Sequence, residues 1–556
     1  MPNFRVVGSW LLLAFAALSC SDSSEGSGLP QTMVPPGTAG SAGPATPAVE
    51  GVVHVSTGDV QGDVVDGTRR YLKIPFAKPP VGDLRWRSPQ KPDAWTGVRH
   101  EPELSKACSQ NMSSGSMASL NEDCLYLNVW QPLMPPTAAP VMVWIHGGGN
   151  FGGGTNDVVP TSDDKLWFDG HVFAQRHGIV VVTLNYRLGP LGFFAHPDLA
   201  AEGSNVGNQG LLDQNLALQW VKENIAAFGG NPNNVTIFGE SAGSSDVCTH
   251  VASPKSAGLF HRAVSQSGGC TAALGSAMTL QAAAAPVMAF AKAVGCESPT
   301  GQLACMRQKP IDLVMQNAMQ PDPMKDAAGT TLRFSVVVDG PGGFLPKSPR
   351  EIFDAGELNR VPYILGSNND EGALFLISTA GPTTDAEYQA QLQMRYPAIA
   401  APLAMVYPPS AYGGNPRKAL ERVVGDSGLV CGTHDSARRA AKAGLTVYSY
   451  NFNVPWAIAG GTLGATHAAE ISHVFGVPFM PDPASQAVSD AMNSYWANFA
   501  KTGDPNFAGA PAIWPKFAPT PADSDQRLQL DSTWMVLTDF RKPECAFWRQ
   551  QYEAGE

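Results

Sequence analysis

The segment Val235–Ser245 reads VTIFGESAGSS, a β-branched apolar run that ends on Gly-Glu-Ser-Ala-Gly. A serine held between glycines can act as a nucleophile when a strand delivers it to a tight turn and a helix leaves that turn. The strained backbone then lifts its hydroxyl clear of the main chain. The pattern alone is weak, because glycine fills 57 of 556 positions and bare G-x-S-x-G strings arise by chance at that density. A near copy, Gly40-Ser41-Ala42-Gly43, has no strand before it and carries no such expectation. Ser241 has both flanks. The run before it predicts a strand, and after Ala242 the apolar Val247 and Val251 stand one helical turn apart. Gly239 and Gly243 omit the Cβ atoms where strand and helix would crowd the turn.

An acyl-transfer serine also needs N–H donors aimed at the oxygen that becomes negative. WIHGGGNFGGG (144–154) leaves a predicted strand at Ile145 and enters glycines that let the backbone turn its amides outward. The run neither opens a helix as G-x-G-x-x-G nor continues to a P-loop lysine. It is similar to the HGGG loops of esterases, so Gly148 and Gly149 are candidate oxyanion donors, with the Ala242 amide as the third.

A general base and an acid to orient it are expected after the serine, acid first. VPYILGSNNDEGALF (361–375) runs from a strand into Asp370-Glu371, a pair that a surface turn would explain equally well. THAAEISHVFG (466–476) offers His467 and His473, after the glycine-rich AGGTLGAT. H-x-x-E-x-x-H also raises a metal site. On a helix, however, residues six apart lie about 120° apart, whereas metalloprotease histidines at i and i+4 share a face. The spacing favours a catalytic histidine over a ligand pair.

Positioning these groups requires several strands. Apolar runs predict strands at Val141–Ile145, Ile179–Leu184, Val235–Phe238, Tyr363–Leu365 and Thr446–Phe452. LLDQNLALQWVKENIAAF (211–228) places Leu212, Leu216, Val221, Ile225 and Phe228 near helical spacing. Wholly apolar strands separated by helices predict an α/β fold with a large, mostly parallel sheet covered on both faces. In such sheets the active site forms at the carboxyl ends of the strands, where Ser241 stands.

Only 15% of residues are charged and 44% are hydrophobic, which supports a substantial core and excludes a disordered chain. A net charge of −11 without a long basic run excludes a nucleic-acid partner. Arg5 precedes the apolar run Val6 to Leu18, too short to span a bilayer, and the whole fits a signal peptide. Its end, Ala-Ala-Leu-Ser-Cys-Ser, resembles a bacterial lipoprotein signal. Cys20 would then be lipidated, although Ala17 stands where such signals usually carry Leu. Residues 21–50, rich in Gly, Ser, Pro and Ala, predict a flexible tether. The folded domain is expected over residues 51–550. Membrane association would come only through the lipid anchor, and the protein is expected to be exported, either anchored to the cell envelope or secreted.

KIPFAKPPVGDLRW (73–86), NEDCLYLNVW (121–130), WIHGGGNFGG (144–153), NYRLGPLGFF (185–194), FGGNPNNVTIFGESAGS (228–244), SNNDEGALF (367–375), HAAEISHVFG (467–476) and NFAKTGDPN (498–506) come in this order along the chain. Together they resemble the type-B carboxylesterases, the α/β-hydrolase family that includes cholinesterases and certain fungal lipases. The resemblance implies an α/β-hydrolase fold, a Ser241–Glu371–His467 triad, hydrolysis of a small-molecule ester, and no cofactor or metal. His473 falls where that family usually has an aromatic and is expected to pack. Asn150 departs from the family, which commonly places an aromatic after the three glycines, and it is expected to alter the pocket wall. Some relatives of this fold are non-catalytic adhesion proteins that lack the serine; the full set of triad types argues against that alternative. Cleavage of amides or carbamates uses the same triad and stays open.

Nine cysteines in an exported chain suggest disulfides, and Cys20 belongs to the signal. Cys108 and Cys124 flank a 15-residue polar loop, and Cys296 and Cys305 enclose a short one. The resemblance implies Cys431–Cys545. Cys248 and Cys270 either bridge or remain two buried thiols. Loop 108–124 carries Met112, Met117, Ala118 and Leu120 as its apolar side chains and no aromatic. In family lipases this loop is a longer lid, and in cholinesterases it is longer and holds a tryptophan against choline. Its brevity and polarity here predict a preference for soluble esters of short to medium acyl chains.

Overall fold

The computed structural model describes residues 50–110, 118–157, 166–272, 277–317, 334–456, 462–478, 482–518 and 525–554. The expected signal peptide, Cys20 and the tether through residue 49 lie outside the described residues, as do Met112, Met117 and residues 459–461.

The centre of the fold is a sheet of eleven strands among the described residues. In chain order these are β1 (Asp63–Val65), β2 (Thr68–Pro75), β3 (Tyr126–Pro132), β4 (Ala139–Ile145), β5 (Val180–Leu184) and β6 (Gly230–Glu240). They continue with β7 (Arg262–Gln266), β8 (Tyr363–Asn368), β9 (Val447–Phe452), β10 (Gln526–Leu530) and β11 (Met535–Thr538). Across the sheet the order is β11-β10-β9-β8-β7-β6-β4-β5-β3-β2-β1. From β10 to β5 all neighbours are parallel, and the strands flanking them are antiparallel.

Every predicted strand lies in the parallel centre, where both faces are covered. Side chains alternate across β4: Val141, Val143 and Ile145 enter one core, and Met142 and Trp144 the other. The first core takes helices α1 (Gln209–Asn224) and α2 (Ala242–Ala252) through Leu218, Val221, Val247 and Val251. The second takes α4 (Pro483–Thr502) through Met492, Trp496 and Phe499. A third cluster joins α3 (Cys431–Lys442) to α5 (Lys542–Ala554) around the Cys431–Cys545 disulfide.

The unpredicted strands have mixed composition for identifiable reasons. β3 contains Asn128, which is buried yet satisfied, accepting from Lys73 N at 2.9 Å and donating to Thr183 Oγ1 at 3.1 Å. β7 ends in the polar Ser265 and Gln266, both buried. β6 begins at Gly230 rather than Val235, with a register shift against β4 that absorbs the residues around Pro232. Nor does α1 present a simple apolar stripe. Gln209, Asp213 and Gln214 are buried while Leu212 is only half-buried, and Asp213 binds the Arg187 guanidinium through both oxygens at 2.6 and 2.8 Å. Tertiary pairing rather than amphipathicity orients this helix.

Disulfides join Cys108 to Cys124, Cys248 to Cys270 and Cys296 to Cys305, in addition to Cys431–Cys545. Cys248 and Cys270 therefore bridge. Four disulfides belong to a chain that folds in an oxidising compartment. Among the described residues no helix is long and apolar enough to cross a membrane.

Candidate active site

β6 ends at Glu240, α2 begins at Ala242, and Ser241 stands between them with φ 57° and ψ −122°. This positive φ is a strained conformation for a non-glycine residue. The flanking glycines are required by contact. A Cβ on Gly239 would lie 2.6 Å from Ile145 O, and one on Gly243 only 2.1 Å from the same oxygen. Ser241 N donates to Gln266 O at 2.9 Å, tying the turn to the end of β7.

The glycine loop after β4 curls over the elbow, so that a Cβ on Gly147 would meet the Ser241 Cβ at 3.0 Å. Gly148, Gly149 and Asn150 have successive φ values of 105°, 66° and 63°. This left-handed run suits glycine, and asparagine is among the side chains that tolerate it best. The N–H groups of Gly148 and Gly149 donate to no acceptor among the described residues, whereas Phe151 N and Gly152 N fold back onto Gly148 O. Ala242 N belongs to the first turn of α2, where amides have no partner inside the helix. These amides thus belong to the two segments that adjoin Ser241, the loop that meets it at Gly147 and the first turn of α2.

Loop 108–124 holds this glycine loop in place. Gln110 accepts from Gly153 N at 2.9 Å and donates to Gly153 O at 2.8 Å, and an antiparallel bridge to Ser119 closes the disulfide loop behind it. Leu120 is exposed.

β8 and β9 deliver the acid and the base. Of the Asp370-Glu371 pair, Glu371 points inward: it is buried, its Oε1 accepts from Asn368 N at 2.7 Å, and its Oε2 lies 2.6 Å from His467 Nδ1. Asp370 instead braces the histidine loop, accepting from Ala465 N at 3.1 Å and pairing with Arg422 at 3.3 Å. The imidazole packs against Phe375, with ring centroids 5.0 Å apart. Its Nε2 lies 3.2 Å from Glu240 Oε1, and Ser241 Oγ makes no hydrogen bond to it in this structure. Apo catalytic hydrogen bonds are often open in this way.

Glu240 and Glu470 complete a buried acidic shell that sequence reasoning missed. Glu470 Oε2 accepts from Asn368 Nδ2 at 2.6 Å and Oε1 from Gln266 Nε2 at 3.2 Å. Its place in H-A-A-E was visible, but only as a rejected metal motif. Burial works against a charged imidazole at His467, yet Glu240, Glu371 and Glu470 outweigh it and push its pKa up to about 9. Glu240 and Glu470 are themselves raised by burial, so each one that takes up a proton relaxes part of that field. The direction for His467 is upward, with the charge of Glu240 the largest cause of the rise and the Glu371 charge and hydrogen bond next.

His473 stands apart, its Nε2 3.0 Å from Ser485 Oγ and its ring against Phe452 at 5.1 Å. Burial lowers its pKa to about 4. The Asn150 side chain is buried, donating to Asp246 and accepting from Tyr186.

A parallel sheet core that carries a serine elbow, with a histidine and its carboxylate in the loops after later strands, defines the α/β-hydrolase class. The carboxylesterase family model matches residues 49–548. The cholinesterase of Mus musculus is 34% identical over 545 residues, spanning 90% of this chain and 86% of its own. The chain belongs to the carboxylesterase family and is a carboxylic ester hydrolase.

Proposed function

We propose that Ser241, Glu371 and His467 form the catalytic triad of a serine esterase acting on short to medium acyl chains through an acyl-enzyme. His467 takes the Ser241 proton as Oγ attacks the ester carbonyl. Glu371 orients the ring through Nδ1 and balances its positive charge, while Gly148, Gly149 and Ala242 donate to the oxyanion. The protonated imidazole returns its proton to the departing alcohol, and water then deacylates the serine by the same route. The observation that carries this reading is the 2.6 Å Glu371–His467 pair, together with a strained serine adjoined by the glycine loop and the first turn of α2.

Acyl preference rests on loop 108–124, whose Gln110 is committed to bracing the glycine loop and whose sequence has no ring for a quaternary ammonium. Choline esters, the substrates named for the murine relative, should gain nothing over neutral esters of similar size. Residues 1–20 are read as a signal peptide with Cys20 as the lipidation site, residues 21–50 as a tether, and residues 51–550 as the hydrolase domain.

Ser241→Ala should abolish hydrolysis of 4-nitrophenyl acetate, a loss on the order of 10⁶, with the melting temperature unchanged. More than trace turnover by the alanine variant would reassign the nucleophile. A chain-length series of nitrophenyl esters should peak at short to medium acyl groups, with no jump as substrate passes its solubility limit. Interfacial activation on long-chain triglyceride, or a marked choline preference, would overturn the substrate class.

A further inference from the structure

The candidate oxyanion donors come from two separate elements, the glycine loop after β4 and the first turn of α2. We propose that Asn150 and Asp246 are the positioning pair that fixes these two elements relative to each other, and hence the geometry of the oxyanion site. The inference rests on the serine-esterase reading above and assigns a part to two residues outside the triad and the donors.

Asn150 directly follows Gly149, and Asp246 lies one helical turn beyond Ala242, on the same face of α2. Asn150 Nδ2 donates to Asp246 Oδ1 at 3.0 Å, so a single side-chain contact spans from one donor segment to the other. Both ends are further anchored. Asn150 O accepts from Gly189 N at 2.6 Å, and Asn150 Oδ1 accepts from the Tyr186 hydroxyl at 3.0 Å, which it shares with His146 O at 2.9 Å. Asp246 Oδ2 accepts from Gln214 Nε2 at 2.6 Å, on α1.

The hydrogens of this network have one consistent direction. Gln214 gives its amide N–H to Asp246, so its Oε1 must accept from His250 Nε2–H at 3.0 Å. His250 Nδ1 is then the acceptor for the Ser256 hydroxyl at 2.7 Å. Every donor from Tyr186 and from Ser256 is oriented toward the Asp246 carboxylate. Tyr186, Gln214, Asp246 and His250 are withdrawn from solvent. A buried, fully satisfied network of this kind rigidifies what it joins, and a broken one leaves costly unpaired groups. An oxyanion site needs such rigidity, because its donors act only when held within about 0.5 Å of the productive position.

The test measures kcat and KM for 4-nitrophenyl acetate together with inhibition by a trifluoromethyl ketone. Ser241 Oγ adds to the ketone carbon, its proton passes to His467, and the carbonyl oxygen becomes the anion that the amides hold. Asn150→Ala should lower kcat by about tenfold to a hundredfold, short of the 10²–10³ for outright loss of a donor. KM should stay within twofold, and ketone affinity should fall by the same factor as kcat. Asn150→Asp should be worse, since it sets two carboxylates against each other. The double variant Asn150→Asp/Asp246→Asn restores a donor opposite an acceptor and leaves an amide oxygen for Gln214. It should recover at least tenfold over Asn150→Asp in both kcat and ketone affinity.

Two results would overturn the proposal: kcat and ketone affinity of Asn150→Ala within twofold of wild type, or no recovery in the double variant. Ser241→Ala separates the two levels. An active Ser241→Ala sinks the site reading, whereas an inactive one beside an unimpaired Asn150→Ala sinks only the positioning pair.

Discussion

Glu240, one residue before Ser241, and Asp246, five residues after it, are both buried carboxyl groups raised by desolvation, yet their oxygens are used differently. Asp246 is saturated, each oxygen taking an amide N–H. Glu240 accepts a backbone hydrogen bond from Ala468, while its Oε1 has no hydrogen-bond partner among the described residues and faces the imidazole at 3.2 Å. Two buried carboxyl groups flanking one serine thus serve separate ends. On the α2 side a satisfied carboxylate fixes backbone geometry. On the β6 side a carboxyl with one oxygen left open acts through its field on the group that must gain and lose a proton. The cost of leaving a buried polar atom unpaired is tolerable where the neighbouring charge appears during reaction.

That contrast between a field side and a scaffold side can be broken experimentally. The largest expected effect is from His467→Ala, a loss on the order of 10⁶ in kcat. Steady-state hydrolysis of a nitrophenyl ester checks it, and comparable loss from His473→Ala would mean that the base has been misassigned. Glu371→Gln should cost about 10⁴, because the amide holds the wrong imidazole tautomer while keeping the shape. Retention of near-normal kcat would show that Glu371 merely packs.

Glu240→Gln should act on pH dependence more than on the maximum rate. His467 is a base only when neutral, so kcat/KM falls as pH drops through its pKa. In the parent enzyme that limb lies above the ordinary histidine value of 6.5, toward 9. Removing one carboxylate should move it down by roughly one pH unit or more. An unmoved acid limb would show that Glu240 exerts no field on the imidazole. The smallest expected effect is from His473→Ala, which should leave kcat intact and destabilise the fold by about 1–3 kcal/mol through the lost Ser485 and Phe452 contacts. Equilibrium unfolding and kcat measured on the same sample would expose any catalytic part.

The local sequence determined the apolar parallel strands and the elbow. Wholly apolar runs such as VMVWI can only be buried on both faces, and Gly-x-Ser-x-Gly after such a run admits one kind of turn. It also determined the cysteine pairs that enclose short loops. Tertiary structure decided the rest. Which member of Asp370-Glu371 turns inward depends on β9 and its loop, which bring His467 to Glu371 and Ala465 to Asp370 across nearly a hundred residues. The Asn150–Asp246 contact could not be read from the sequence because the two residues are 96 apart. Short polar strands such as β7 were invisible for the same reason, since Ser265 and Gln266 are satisfied by Ser244 O and by Glu470 and Trp496 from other elements. Apolar burial follows from local pattern because every apolar residue seeks the same environment. A polar side chain is buried only where a particular partner meets it, and that partner is supplied by the fold.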